Sequence, residues 1–120
     1  MTTIVVVDDE TTITDFLCYL LKEEGFDVSA ASDGRAALNL IQSTKPDLIV
    51  TDFMMPIMSG LDLARALKAD NAFSEIPIIL ATAAQGAIAR SNATLFAAVL
   101  DKPYPLDELL RLIRELASSR

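Results

Sequence analysis

The sequence predicts an α/β domain: a doubly wound, five-stranded parallel sheet with helices on both faces. Apolar runs of strand length alternate with stretches of helical periodicity five times along the 120 residues. The runs are almost continuously hydrophobic, as in strands covered on both sides, rather than alternating as in a half-exposed sheet. Hydrophobic residues make up 52% of the chain, enough for one real core at this length.

The first strand is TIVVV (3–7), short and β-branched. Ile13, Phe16, Leu17, Leu20 and Leu21 follow at the spacing of one helical face, and Gly25 stands where that helix should stop. DVSAA (27–31) is the second strand. Ser32 or Asp33 is then placed to cap a helix with Ala37, Leu40 and Ile41 on one side. LIVT (48–51), after the Lys45-Pro46 break, is the third strand, and Ser59 is the expected N-cap of GLDLARALKAD (60–70), burying Leu63, Ala66 and Leu67. PIILAT (77–82) is the fourth strand, with Pro77 first, where a missing N–H is tolerated. Residues 84–96 are expected to be helical, although their periodicity is poor. AAVL (97–100) is the fifth strand. A last helix from about Pro105 to Ala117 carries Leu106, Leu109, Leu110, Ile113 and Leu116 in register. One domain over residues 1–120 is expected, with no linker or internal repeat.

Composition removes several kinds of chemistry. The chain has no histidine, which excludes a Ser-His-Asp triad, a histidine metal ligand and a phosphohistidine of its own. A net charge of −7 and a pI near 4.4 argue against direct nucleic-acid binding and suit a cation or a partner with basic patches. The single cysteine, Cys18, allows no internal disulfide and fits a reducing compartment. The start, MTTIVVVDDE, lacks the pattern of a signal peptide, and the apolar runs are far below the roughly 20 residues that cross a bilayer. A soluble, cytoplasmic protein without membrane contact is expected.

The polar residues fall at the strand ends. Asp8 and Asp9 follow the first strand, Asp52 follows the third, Thr82 ends the fourth, and Lys102 comes just after the fifth. In a parallel sheet these ends share one edge, where open α/β sheets bind ligands. Two like charges about 4 Å apart repel by about 4 kcal/mol at an effective dielectric near 20. One lysine offsets only part of the repulsion among three carboxylates. A divalent cation would resolve it, and an all-oxygen set favours a hard ion such as magnesium. The competing reading makes Asp9 a cap of the first helix, which leaves Asp52 and Lys102 on the same edge unexplained.

Over essentially its whole length the chain resembles the receiver domain of bacterial two-component response regulators. The resemblance is carried by VVVDDE (5–10), IVTDFMMPIMSG (49–60), PIILATAA (77–84) and LDKPY (100–104). It implies a flavodoxin-like (βα)5 fold with strand order 2-1-3-4-5. It also implies that Asp52 accepts a phosphoryl group from a phosphohistidine on a sensor histidine kinase or histidine phosphotransfer protein. Asp8, Asp9, the Asp52 carboxylate and the Met54 backbone carbonyl would hold Mg2+, while Thr82 and Lys102 contact the phosphoryl oxygens. A cis Lys102-Pro103 bond is expected, and output to a downstream protein through the face of helix four, strand five and helix five. The protein would catalyse only its own phosphorylation and dephosphorylation. Whether two copies pair on phosphorylation is left open.

The chain departs from that family at Val99, where an aromatic residue is common, at TLF (94–96) in place of a glycine before strand five, and at Ala84, small and apolar beside the expected phosphoryl site. Bland roles are expected for Pro56 and Gly60 as turn residues, Met54, Met55 and Met58 as loop packing, Tyr104 as packing, Cys18 as incidental, and residues 70–75 as a solvated loop. A stand-alone regulator or phosphorelay shuttle is the favoured reading. The alternatives are the N-terminal receiver of a DNA-binding transcriptional regulator, or a haloacid dehalogenase-type hydrolase, which normally needs a second acid where this chain has Met54.

Overall fold

Along β1 (Thr3–Val7) successive side chains leave opposite faces of the sheet, so Ile4 and Val6 enter one core while Val5 and Val7 enter another. The computed structural model describes residues 2–83 and 86–118. After β1 come α1 (Thr11–Glu23), β2 (Asp27–Ala31), α2 (Gly34–Thr44), β3 (Leu48–Asp52), α3 (Gly60–Lys68) and β4 (Ile78–Thr82). Then follow α4 (Gly86–Ser91), a 3-10 turn (Ala93–Leu95), β5 (Ala98–Asp101) and α5 (Leu106–Ser118). All strand pairs are parallel, in the order β2-β1-β3-β4-β5. This is the predicted doubly wound sheet.

Each face has its own cover. Ala37 and Ile41 of α2 and Leu63, Ala64 and Leu67 of α3 pack with Val5, Val7, Ile49, Ile78 and Leu80. On the other face Leu17 and Leu21 of α1 and Leu109 and Ile113 of α5 pack with Ile4, Val6, Val50 and Ile79. Both faces being buried is why these strands read as unbroken apolar runs. Local signals agree with the packing. Asp33 caps α2 by accepting from Ala36 N at 2.8 Å, and Ser59 caps α3 by accepting from Asp62 N at 3.1 Å. Gly25, just past α1, takes a φ of +95°, a left-handed turn that ends the helix cheaply only at glycine.

Several expectations are corrected. β3 includes Asp52, whose Cα pairs with Ala81, so the carboxylate stands on the strand itself. β4 starts at Ile78, because Pro77 has no N–H for the ladder, although its carbonyl accepts from Ile49 N at 3.1 Å. β5 is shifted by one residue, to Ala98–Asp101. Among the described residues, the region expected to be one helix over 84–96 holds the short α4 and the 3-10 turn, and Ala84 lies outside the described residues.

In α3 it is Ala64 that is buried, and Ala66 is half-buried. Phe16 fits the apolar stripe of α1 but is 55% exposed, because Leu17 and Leu21 already fill the groove over the sheet. Cys18 is half-buried against the α1/α5 core and its thiol is pushed up by burial, so it is a packing residue. The segment after α3 is not simply solvated. Phe73 is buried there, and Lys68 Nζ donates to the carbonyls of Ser74 at 2.9 Å and Ile76 at 3.2 Å.

The two apolar positions Ile113 and Phe16 therefore carry unequal energies. Ile113→Ala is expected to cost ~2–5 kcal/mol in urea unfolding and Phe16→Ala less than about 0.5 kcal/mol. Equal losses would contradict this division of the core.

Candidate functional site

The parallel sheet brings the C-terminal ends of β1, β3, β4 and β5 to one rim. Asp8 and Asp9 leave the end of β1, Asp52 ends β3, Thr82 ends β4, and Lys102 follows β5. Carboxylate oxygens of Asp8, Asp9 and Asp52 lie within 4.8 Å of one another. Lys102 Nζ stands 3.0 Å from Asp52 Oδ1 and 3.4 Å from Asp8 Oδ2. Thr82 is fully buried, and its carbonyl accepts from Lys102 N at 2.8 Å, which ties the lysine's backbone to the end of β4. The peptide between Lys102 and Pro103 is cis, as expected. The five side chains expected from the sequence share one rim.

The acids are not equivalent. Asp8 is only 4% exposed and its Oδ1 accepts from Glu10 N at 3.0 Å. Asp9 is exposed and makes no hydrogen bond or ion pair among the described residues. It does not cap α1: the N-cap is Glu10, whose side chain accepts no cap bond either. Asp9 is thus a carboxylate aimed at the cluster without another structural task.

Burial raises the Asp8 carboxyl above the usual carboxylate range, more than its bond from Glu10 N and the charge of Lys102 lower it; Asp52 raises it further. Lys102 also moves upward. Burial alone would lower it, but its hydrogen bond to Asp52 and the charges of Asp52 and Asp8 outweigh that. A simple ion pair would shift its members in opposite directions. Here burial of Asp8 outweighs the help it receives from an ammonium that it shares with Asp52, so both groups move upward. Because the Lys102 shift is upward, its contribution to stability is complete at neutral pH and is lost only above the usual lysine range.

The donors are all oxygens, close together and short of positive charge, which fits a hard divalent ion and not a soft one. Met54, two residues beyond Asp52, is 59% exposed, whereas Met55 and Met58 pack on the α2/α3 core. Met55 Sδ lies 4.0 Å from Thr51 Oγ1. Val99 is half-buried on the same core, opposite Leu80 in the β4–β5 register, and brings no ring to the site. Tyr104 is half-buried against the α1/α5 core, as expected for packing.

Two features escaped the sequence. Gly60 is more than a turn residue: a Cβ there would stand 2.3 Å from the Asp52 carbonyl oxygen, so α3 starts hard against the acceptor strand. An open, mainly apolar cleft of about 670 Å³ also lies beside the rim, lined by Ile13, Phe16, Leu17, Lys102, Pro103 and Tyr104. Phe16 sits on the apolar stripe of α1, so its place beside a cleft carries no sequence signal, and nothing local marks the Gly60 contact.

The fold and rim define a class: a doubly wound domain that gathers an acidic, cation-seeking cluster and a lysine at the carboxyl ends of its strands. The model of the response regulator receiver domain family matches residues 4–114, and the chain belongs to that family. It is similar to the DNA-binding response regulator MtrA of Mycobacterium tuberculosis, with 41% identity over 80 residues, 67% of this chain and 34% of MtrA. It is also similar to the sensory transduction protein RegX3 of the same species, with 35% identity over 116 residues, 95% of this chain and 50% of RegX3. The chain thus spans half or less of the length of these curated relatives.

Among solved structures, the receiver domain of a signal transduction histidine kinase from Syntrophus aciditrophicus matches with a TM-score of 0.91 and 30% identity, covering 99% of this chain and 92% of that one. The response regulator TrrA from Thermotoga maritima, solved in complex with Mg(2+)-BeF, matches with a TM-score of 0.84 and 32% identity over 97% of this chain and 99% of that one. The hydrolase alternative is set aside by this membership. Among the described residues, no helix is long and apolar enough to cross a membrane.

Lys102→Met is expected to lower metal-free stability by ~1–3 kcal/mol, because two buried-side carboxylates lose their shared cation. Saturating Mg2+ should narrow that deficit in urea unfolding. A deficit unchanged by magnesium would mean that lysine and metal do not serve the same charges.

Proposed function

We propose that Asp52 is the phosphoacceptor and that the chain receives a phosphoryl group from a phosphohistidine on a sensor histidine kinase or histidine phosphotransfer protein. The observation that carries this is Lys102 Nζ at 3.0 Å from Asp52 Oδ1, with carboxylate oxygens of Asp8 and Asp9 within 4.8 Å of one another and of Asp52. The donor histidine must lie outside these 120 residues, which contain none.

Mg2+ would be held by Asp8, Asp9, the Asp52 carboxylate and the Met54 backbone carbonyl, and when bound it neutralises charge on the phosphoryl oxygens. A carboxylate oxygen of Asp52 is itself the nucleophile, so the transfer asks for no separate general base. One of its oxygens forms the new bond to phosphorus as the bond from phosphorus to the donor imidazole nitrogen breaks, and that nitrogen then takes up a proton. Lys102 moves from Asp52 toward the transferred group and stabilises its oxygens, joined by the Thr82 hydroxyl. The product is an acyl phosphate that water cleaves, so the signal is erasable. Acting only on itself, the domain is a switch rather than an enzyme with a turnover substrate.

Phosphorylation would bias a two-state equilibrium in which Thr82 and the face of α4, β5 and α5 rearrange and bind a downstream protein, or a second copy. A cytoplasmic domain over residues 1–120, serving as a stand-alone regulator or relay shuttle, is the favoured form. A second form is the receiver of a longer DNA-binding regulator, favoured by MtrA, whose matched part is 34% of its length. The length of the full gene product separates these two forms. In neither does this acidic domain itself contact nucleic acid.

Incubation with Mg2+ and acetyl phosphate, followed by intact mass, is expected to show one added phosphoryl group on the wild type and none on Asp52→Asn. An unmodified wild type, or equal modification of the variant, would refute the assignment. Lys102→Ala is expected to bind Mg2+ but to lose the spectral change that follows phosphorylation; a normal change would remove the lysine from the switch.

A further inference from the structure

The loop between β3 and α3, residues 53–59, has to present both the Asp52 carboxylate and the backbone just beyond it in one geometry. Its anchors are uneven. Phe53 is buried and its N–H donates to Ala81 O at 3.2 Å, and Gly60 N closes the far end onto Phe53 O at 2.9 Å. Between them Met54, Pro56 and Ile57 are exposed, Ile57 by 77%. Met58 N donates to Pro56 O at 2.7 Å around Ile57, whose φ is +72°. That is a γ-turn on a β-branched residue, a strained conformation that persists only where its surroundings fix it.

The element that fixes it is α2. A Cβ at Gly34, the first residue of that helix, would lie 2.7 Å from Met58 Cβ and Cγ and 2.8 Å from the Met58 carbonyl oxygen. Gly34 is buried, and its φ lies outside the left-handed region, so the backbone conformation does not demand glycine. Only the approach of Met58 does. Asp33, the residue before it, holds the helix start in place through Ala36 N at 2.8 Å. The helix end is therefore a fixed wall against which the last turn of the loop rests.

We propose that Gly34 is a positioning residue: its bare Cα lets Met58 seat against α2, and this contact sets the shape of the acceptor loop between Asp52 and α3. The proposal rests on the reading of Asp52 as phosphoacceptor only for its functional consequence. Any side chain at 34 must push back the Met58 backbone, and the displacement passes through the strained turn at Ile57 toward Met54 and Asp52. The helix itself would welcome alanine at this position, so loss of loop geometry and loss of fold are separable.

The test compares wild type, Gly34→Ala, Met58→Ala and, as control, Arg35→Ala at an exposed position of α2. Amide exchange is followed in the metal-free proteins, Mg2+ affinity by calorimetry, and phosphorylation by acetyl phosphate through intact mass. Gly34→Ala is expected to keep protected α2 amides, to exchange faster over residues 53–59, and to bind Mg2+ roughly tenfold more weakly. Its phosphorylation should slow in step. Met58→Ala, which trims the contact from the loop side, should loosen the same residues, and Arg35→Ala should match wild type.

Wild-type exchange and Mg2+ affinity in Gly34→Ala would overturn the proposal. If that variant fails to fold, the same result in Met58→Ala overturns it. A wild type that takes up no phosphoryl group refutes the function proposed for Asp52, and exchange and metal affinity then decide the role of Gly34 on their own.

Discussion

Mutual repulsion among the Asp8, Asp9 and Asp52 carboxylates is the constraint around which this molecule is organised. With their oxygens within 4.8 Å the ionised carboxylates oppose one another, most strongly between Asp8 and Asp52, which are the less exposed, and more weakly at the solvent-screened Asp9. Lys102 meets two of the three, and Asp9 is left without a partner among the described residues. The metal-free rim is thus a held, unfavourable arrangement. Such a site gains most from a ligand that brings positive charge, and a bound divalent ion can in turn accept an anionic phosphoryl group. The feature that costs stability is the one that prepares the chemistry.

Holding that arrangement falls to the sheet. Parallel pairing of β1, β3, β4 and β5 fixes the four strand ends side by side, and two apolar cores keep the strands from shifting. Asp52 belongs to the ladder through its Cα pairing with Ala81, so its position is set by the backbone and not by a mobile loop. Beyond it, Gly60 lets α3 begin against the Asp52 carbonyl, and Gly34 lets Met58 close on α2. Lys102 is placed differently, through its N–H to Thr82 O. A displacement at the end of β4 therefore has a direct route to the cation at the site.

Much of this was legible in the sequence, for physical reasons. Strands buried on both faces announce themselves as apolar runs, and their order of polar ends, Asp8-Asp9, Asp52, Thr82 and Lys102, marks one edge once the sheet is parallel. Asp33 and Ser59 were readable because capping depends on neighbours a few residues away. Other features depend on contacts between distant segments. Phe16 lies on the correct helical stripe, yet its neighbours reach the sheet first and leave it beside a cleft. Phe73 is buried within a polar-looking loop that Lys68 holds by two carbonyls. The meeting of Gly34 with Met58, 24 positions apart in the numbering, has no local signature at all.

Thermal unfolding of wild type and Asp9→Asn, each with and without Mg2+, tests the organising constraint most directly. Asp9 is the acid with no structural bond to lose, so its neutralisation isolates the repulsion. The metal-free variant should melt above the metal-free wild type, and Mg2+ should raise the wild type by an amount corresponding to about 2–3 kcal/mol at a hundredfold excess over its Kd while leaving the variant nearly unmoved. A variant that melts lower than wild type without metal, or that gains as much from Mg2+, would show that the three carboxylates are neither in conflict nor waiting for a cation.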